Sequence, residues 1–385
     1  MSPATEERLR SRLREQPLPG ESEAAARSWP VVEAALAERT PAARPRRMAL
    51  RLALVAALVC VGLVAALTPA GAEVGDWIGD RFGERDQSAA PAFAGLPPGG
   101  SVLAMTRSGA YAVHSDGSWR RLGGFSEAGW SPRGLHVVGA DGHRLVAVTP
   151  AGMQKWSVAR PGRVQHPAWS AGDGFVVAWL ERGTLRAVDG RGVGDRLLRR
   201  GAAAVTPAWR PRAGHVLVYA TARGGLEALD ADTGLTLWRR SSPRARELAW
   251  SRDGRRLAAL SARELTVFDA GGRLLRTVAL PAQAGALALH PSGRRAAVAV
   301  GGAGGRRLLD VPLRGAGRPR QLFQGDVAGL AWSRDGRRLL LAWRDADEWL
   351  LLGPAGRVRR ALHGVSAELG AAGGFPRVAG WCCPG

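Results

Sequence analysis

Lysine is all but missing from this chain. Lys155 is the only one in 385 residues, so the remainder of the 54 basic side chains is arginine. Beside abundant alanine and glycine, that bias points to a GC-rich bacterial genome. Cysteine is scarce, at three residues, and the seven histidines (His114, His136, His143, His166, His215, His290 and His363) are scattered with no ligand-like spacing, so no metal site is expected. The nucleophile elbow Gly-x-Ser-x-Gly is absent, which removes a hydrolase domain of that design. Tyrosine and phenylalanine are few, at two and seven, whereas tryptophan reaches fourteen. Such an excess of the largest side chain suggests one packing role repeated many times.

The charge is unevenly placed. The formal net charge is +21, and residues 101–385 carry 42 basic against 21 acidic side chains, so the whole excess sits on the C-terminal part. Such a surface attracts polyanions, including anionic lipid head groups and wall polymers; a solvated arginine-rich surface set by codon bias gives the same count.

Leu52 to Leu67 holds sixteen residues without a charged or strongly polar group, and Thr68 to Ala72 extends the run to twenty-one. At about 1.5 Å per helical residue this reaches roughly 31 Å, enough to cross a bilayer core. Arg44, Arg46, Arg47 and Arg51 precede it, and Glu73, Asp76 and Asp80 follow. Residues 48–72 are therefore expected to be one transmembrane helix with the N-terminus cytoplasmic and the C-terminal part outside the cell membrane. Two other readings stay open: a signal peptide cleaved after Ala70-Gly71-Ala72, and a buried globular helix. Residues 1–47 read as a short cytoplasmic tail of two charged helices, disordered or folding on a partner, with Trp29, Val32 and Leu36 on one face as a partner-binding stripe. Residues 73–100 read as a flexible spacer, rich in Ala, Pro and Gly from Gln87 onward.

Beyond the spacer the sequence repeats. Leu248-Ala-Trp-Ser-Arg-Asp-Gly-Arg-Arg-Leu257 recurs as Leu330-Ala-Trp-Ser-Arg-Asp-Gly-Arg-Arg-Leu339, with weaker copies elsewhere. The anchors are Trp130, Trp169, Trp209, Trp250, Leu289 and Trp332, spaced 39 to 43 residues apart, which is the period of a four-stranded propeller blade. One repeat resolves into short strands at Glu247–Trp250, Arg256–Ser261, Glu264–Asp269 and Arg273–Leu280. The turns are marked by Asp173-Gly174, Asp253-Gly254 and Asp335-Gly336: Asp caps nearby backbone N–H groups and Gly supplies the positive φ.

The motif Trp-Ser-x-Asp-Gly-x-x-Leu resembles the repeat of TolB-type and WD-repeat-like propellers, over residues 101–385. Trp-Asp dipeptides of true WD repeats are missing, so the TolB-like subtype, in a membrane-anchored, actinobacterial-like protein, is the better match. The resemblance implies a binding platform rather than an enzyme. Blade number follows from closure. Ser101–Arg107, Gly109–Ser115 and Ser118–Gly123 are three strands lacking a first, while Val378-Ala-Gly-Trp-Cys-Cys-Pro-Gly385 looks like a first strand with Trp381 as its anchor. Joining them gives an all-β, seven-bladed ring, with six blades as the runner-up and an insertion near Gly364 to Gly374.

One stretch suggests different chemistry. Leu229-Asp-Ala-Asp-Thr-Gly-Leu-Thr-Leu-Trp238 resembles a pyrroloquinoline-quinone enzyme repeat, and Cys382-Cys383 resembles the vicinal disulfide of some members. Only one blade carries the pattern and no acidic calcium-ligand set accompanies it, so a quinone-dependent oxidoreductase is the remote alternative. The cysteines remain open between a vicinal disulfide, an intermolecular bond, free thiols and plain packing. The expected function is a non-catalytic, membrane-anchored, extracytoplasmic platform for a protein or cell-envelope ligand, without cofactor and without nucleic acid. The alternative, on architecture, is an anti-sigma-like regulator whose tail holds a cytoplasmic partner.

Overall fold

The computed structural model describes residues 92–382 apart from 99, 172–174, 243, 303–304, 354 and 371–373. The expected tail with Trp29, Val32 and Leu36, the expected span, most of the spacer, and Asp173, Gly174 and Cys383 lie outside the described residues. Among the described residues no helix is long and apolar enough to cross a membrane.

Among the described residues, twenty-eight strands form seven antiparallel four-stranded sheets. Six sheets take four consecutive strands each, and the seventh joins Arg377–Cys382 to Ser101–Thr106, Gly109–Val113 and Trp119–Gly123. Seven blades, not six, are present, and the first is completed by the last strand. Blade 1 is this composite; blades 2 to 7 follow in chain order, with innermost strands Glu127–Trp130, Val164–Trp169, Ala208–Trp209, Glu247–Trp250, Gln283–Leu289 and Val327–Trp332. Each innermost strand touches the next around the full circle, including blade 7 to blade 1 and blade 1 to blade 2. The result is a closed seven-bladed β-propeller around a central channel.

The apolar pattern explains why the ring forms. The two middle strands of a blade are buried on both faces, so they read as nearly continuous apolar runs, such as Val176–Glu181 and Leu339–Trp343. Alternate side chains then serve opposite neighbours: Val102 and Ala104 pack toward blade 7, while Leu103 and Met105 pack toward blade 2. The buried residues fall into seven clusters, one at each blade-to-blade interface. Among the described residues the core is divided between these interfaces, so each blade depends on both neighbours.

The repeated turn is a compact hydrogen-bond unit. Ser251 Oγ donates to Asp253 Oδ1 (2.6 Å) and accepts from the Arg256 N–H (3.0 Å), while Asp253 Oδ1 also accepts from the Arg255 N–H (3.1 Å). Ser333, Asp335, Arg337 and Arg338 repeat this arrangement in blade 7. Gly254 and Gly336 hold φ of 66° and 71°, a region that disfavours any side chain.

Residues 92–96 depart from the spacer expected there. Phe93 is completely buried at the interface of blades 7 and 1, its ring 4.9 Å from that of Trp349, and Leu96 is buried beside it. Gly95 O accepts from Arg360 (2.9 Å). Ala, Pro and Gly content suggested a linker, but the two large apolar side chains in that stretch dock it onto the ring. The insertion expected between Gly364 and Gly374 contains a one-turn helix, Val365–Glu368, whose Val365 joins the same cluster.

Candidate functional site

Strand alternation gives the ring two unlike ends. Turns joining first to second and third to outer strands lie at one end, the turn face; second-to-third turns and blade-to-blade connections lie at the other, the loop face. All seven repeat anchors lie at or next to the turn-face end of an innermost strand. Trp209, Trp250 and Trp332 donate their indole N–H to carbonyls of the preceding blade, at Ala168, Ala208 and Ala288, over 3.0–3.1 Å. Trp130, Trp169 and Trp381 occupy the equivalent places, and Leu289 substitutes an apolar side chain without that donor.

The position after each anchor settles how neighbouring turns are joined. Where it is serine, the side chain caps its own turn, and Ser131, Ser170, Ser251 and Ser333 are all buried. Where it is not, the side chain crosses to the next blade: Arg210 donates to Gly254 O (2.9 Å) and His290 Nε2 lies 3.1 Å from Gly336 O. Because a carbonyl only accepts, His290 carries its proton on Nε2 in that contact.

The mouth of the channel on the turn face is a bowl of about 980 Å³. Trp130, Trp250, Trp332 and Trp381, with Pro132, Pro211 and Pro291, form its apolar wall. Around this wall stand Arg133, Arg212, Arg252 and Arg334, all exposed and none in an ion pair among the described residues. The nearest turn carboxylates are already engaged. Ser333 and the Arg337 N–H hold Asp335 below the usual carboxylate range; burial pulls Asp253 upward, but Ser251 and the Arg255 N–H outweigh it. On the outer strands some arginines do meet an acid, as at the buried Glu227, which accepts from Arg199 (3.0 Å), Arg239 (2.8 Å) and Thr236 (2.8 Å). Among the described residues lining the bowl, one carboxylate, Glu247, accompanies these four arginines.

The same face carries the exposed apolar surface. Trp119, Met153, Val193, Leu235, Leu274 and Val358 all lie at third-to-outer turns or directly after them, and Leu135 and Phe175 at first-to-second turns. The other large exposed apolar residues among those described, Leu197, Leu237 and Leu275, lie on outer strands, and none is on the loop face. Met153 and Leu235 are 59% and 65% exposed, far beyond what packing requires. Sequence reasoning located the turns but missed this ring, although its signal is visible: an apolar residue follows the turn glycine in Gly152-Met153, Gly192-Val193 and Gly234-Leu235.

Deeper in the channel, toward the loop face, Glu127, His166, Glu247 and Arg377 come from innermost strands of four blades. Burial pushes the Glu247 carboxyl up to about 7, against the opposing Leu287 N–H (2.8 Å) and the charge of Arg377. Burial also lowers Arg377, with Glu127 and Glu247 opposing that effect. For Glu127 burial acts upward, but hydrogen bonds from His166 hold it below the usual range. His166 sits at φ 53° in a bulge and donates its backbone N–H to Glu127 (2.6 Å). Its Nδ1 faces both Glu127 (3.1 Å) and Thr206 Oγ1 (3.2 Å). A proton relay needs the carboxylate and the hydroxyl on opposite ring nitrogens, so this trio locks blades 2, 3 and 4 rather than activating Thr206.

No family model matches this sequence, and no curated protein does. Among solved structures, the chain is similar to the β-propeller domain of Cps50 (Swd1) from Myceliophteria thermophila, at 16% identity and a TM-score of 0.49, over 62% of this chain and 86% of that one.

The remaining candidates fall into structural places. In the quinoenzyme-like stretch, Asp230 Oδ1 accepts from the Asp232 and Thr233 N–H groups (2.9 Å each), and Trp238 donates to Ala270 O (3.2 Å) in the next blade. Cys382 lines the bowl, with Sγ 3.7 Å from Ser131 O. The histidines are dispersed through the blades, with His136 and His215 beside the rings of Trp169 and Trp209.

Proposed function

We propose that this chain is a non-catalytic binding platform of TolB-like type that takes a protein partner on its turn face, an acidic segment of the partner entering the bowl. The observation that carries the reading is a coincidence on one end of the ring. Four arginines without an ion pair among the described residues surround a tryptophan- and proline-lined concavity, and eight large apolar side chains circle it. An apolar surface with arginine and tryptophan at its centre has the composition of a protein-binding hot spot. Seven interlocked blades supply a rigid support, so little ordering cost falls on this side of the complex.

The proposal includes a membrane anchor at 48–72 and an extracytoplasmic position, supported by the uncharged run from Leu52 to Leu67 and its basic N-terminal flank. Protease added to intact cells should digest the propeller and spare residues 1–47; protection of the propeller would reverse that topology.

The binding reading is tested with the full-length protein in detergent and a fluorescent peptide alternating Glu and Leu. The four-fold variant R133Q/R212Q/R252Q/R334Q should weaken binding by at least about tenfold, and Met153→Ser with Leu235→Ser should weaken it without changing its salt dependence. A wall-derived anionic polysaccharide that binds while the peptide does not would replace the protein partner by an envelope polymer.

A further inference from the structure

A second cavity, of about 600 Å³, opens on the loop face where connections of blades 5, 6 and 7 meet. It is independent of the turn-face bowl and shares no residue with it. Part of its wall is backbone left bare by Gly285, Gly301 and Gly325. The rest is dominated by four arginines, Arg246, Arg306, Arg307 and Arg344, against one carboxylate, Asp326.

That carboxylate is committed. Asp326 is paired with Arg306 and lies 3.6 Å from Arg344, so its charge is already shared between two guanidinium groups. Arg246 and Arg307 have no carboxylate partner among the described residues. Arg246 reaches only the Ala284 carbonyl (3.4 Å) and the amide of Gln283. Arg307 is more informative, because its Nε is buried and has no acceptor among the described residues. A buried donor of a charged group without a partner is costly, and native structures rarely keep one unless something completes it.

What would complete it follows from the lining. Guanidinium groups beside glycine backbone suit a forked oxyanion that makes close approach to the main chain. No aromatic side chain lines the cavity, so it offers no platform for a nucleobase. The volume is that of a small-molecule pocket rather than a peptide groove.

We propose that this loop-face cavity binds a small, multiply charged oxyanion, a phosphate or a carboxylate compound, with Arg246 and Arg307 as its principal ligands and Arg306–Asp326–Arg344 as a fixed rim. The loop face would thus hold a small ligand while the turn face holds a partner. Bound anion would tie blade 5 to blade 6 through Arg246 and Arg307, which belong to different blades.

The test is thermal unfolding and calorimetry of the full-length protein with pyrophosphate and with citrate, each against chloride at matched ionic strength. At least one should raise the melting temperature saturably, and the stronger of the two identifies the phosphate or the carboxylate source. Arg246→Gln and Arg307→Gln should each weaken that binding about tenfold or more, while R133Q/R212Q/R252Q/R334Q leaves it intact. If Arg307→Gln does not fold, Arg246→Gln carries the test. Absence of saturable stabilisation by either anion overturns the proposal, as does binding that survives Arg246→Gln or disappears in the turn-face variant.

Discussion

Val102 and Trp381, 279 positions apart, are register partners in one antiparallel pair. Their pairing makes the innermost strand of blade 1 from the chain's last described segment, so the ring cannot close until both ends are present. Truncation after Gly374 removes that strand, opens blade 1 and strips Val378 and Trp381 from the interface with blade 7. The truncated chain should lose cooperative thermal unfolding followed by far-UV circular dichroism. A melt like that of the intact chain would show that closure adds little.

Ser333 Oγ both donates to Asp335 and accepts from the Arg338 N–H, and the residue is buried. Ser333→Ala leaves that N–H without its acceptor, so it should cost about 1–2 kcal/mol in urea unfolding. Ser333→Thr, which keeps the hydroxyl, should cost less. Equal losses for both would mean that packing, not capping, fixes the turn.

Phe93 lies against Trp349, whose indole N–H donates to Pro376 O (2.9 Å). Phe93→Ala opens a cavity at the interface where the ring closes and should lower stability by about 3–5 kcal/mol. Removing residues 1–91 should leave thermal stability of the propeller unchanged, whereas removing 1–96 should reproduce the Phe93→Ala loss. Equal stability of the two shortened chains would make the docked segment incidental.

Much of this architecture was legible because a propeller writes its period into the chain. A blade must end its innermost strand with a large side chain and turn sharply, so Trp250-Ser-Arg-Asp-Gly254 and Trp332-Ser-Arg-Asp-Gly336 announce the repeat directly. Closure was legible for the same reason, since Trp381 had the anchor's surroundings without the rest of a blade. Phe93 was not, because two apolar residues among Ala, Pro and Gly carry no period and acquire meaning only when a groove receives them. The bowl was hidden more deeply. Arg133, Arg212, Arg252 and Arg334 occur in a chain full of arginine, and only the closed ring brings these four, from four different blades, to one rim.

Glu247 gives the channel a pH dependence whose sign can be worked out. Burial raises its carboxyl from 4.5 to about 7 in the folded chain, even with Arg377 and the Leu287 N–H opposing the shift. A raised carboxyl favours the folded state where it is protonated, so its contribution is complete below about pH 4.5 and is lost as pH rises through about 7. Across that window the loss is on the order of 3 kcal/mol at most. Glu247→Gln keeps an oxygen for the Leu287 N–H but cannot ionise. Relative to wild type, this variant should therefore gain stability steadily from about pH 4.5 upward and level off above about pH 7. Glu127 is held low by His166 and should contribute no such rise near neutrality. Arg377→Gln should move the Glu247 transition to higher pH, because it removes the cation that opposes burial. Stability curves that run parallel from pH 5 to pH 8 for wild type and Glu247→Gln would show that Glu247 is ionised throughout, stabilised by Arg377 more strongly than burial disfavours it.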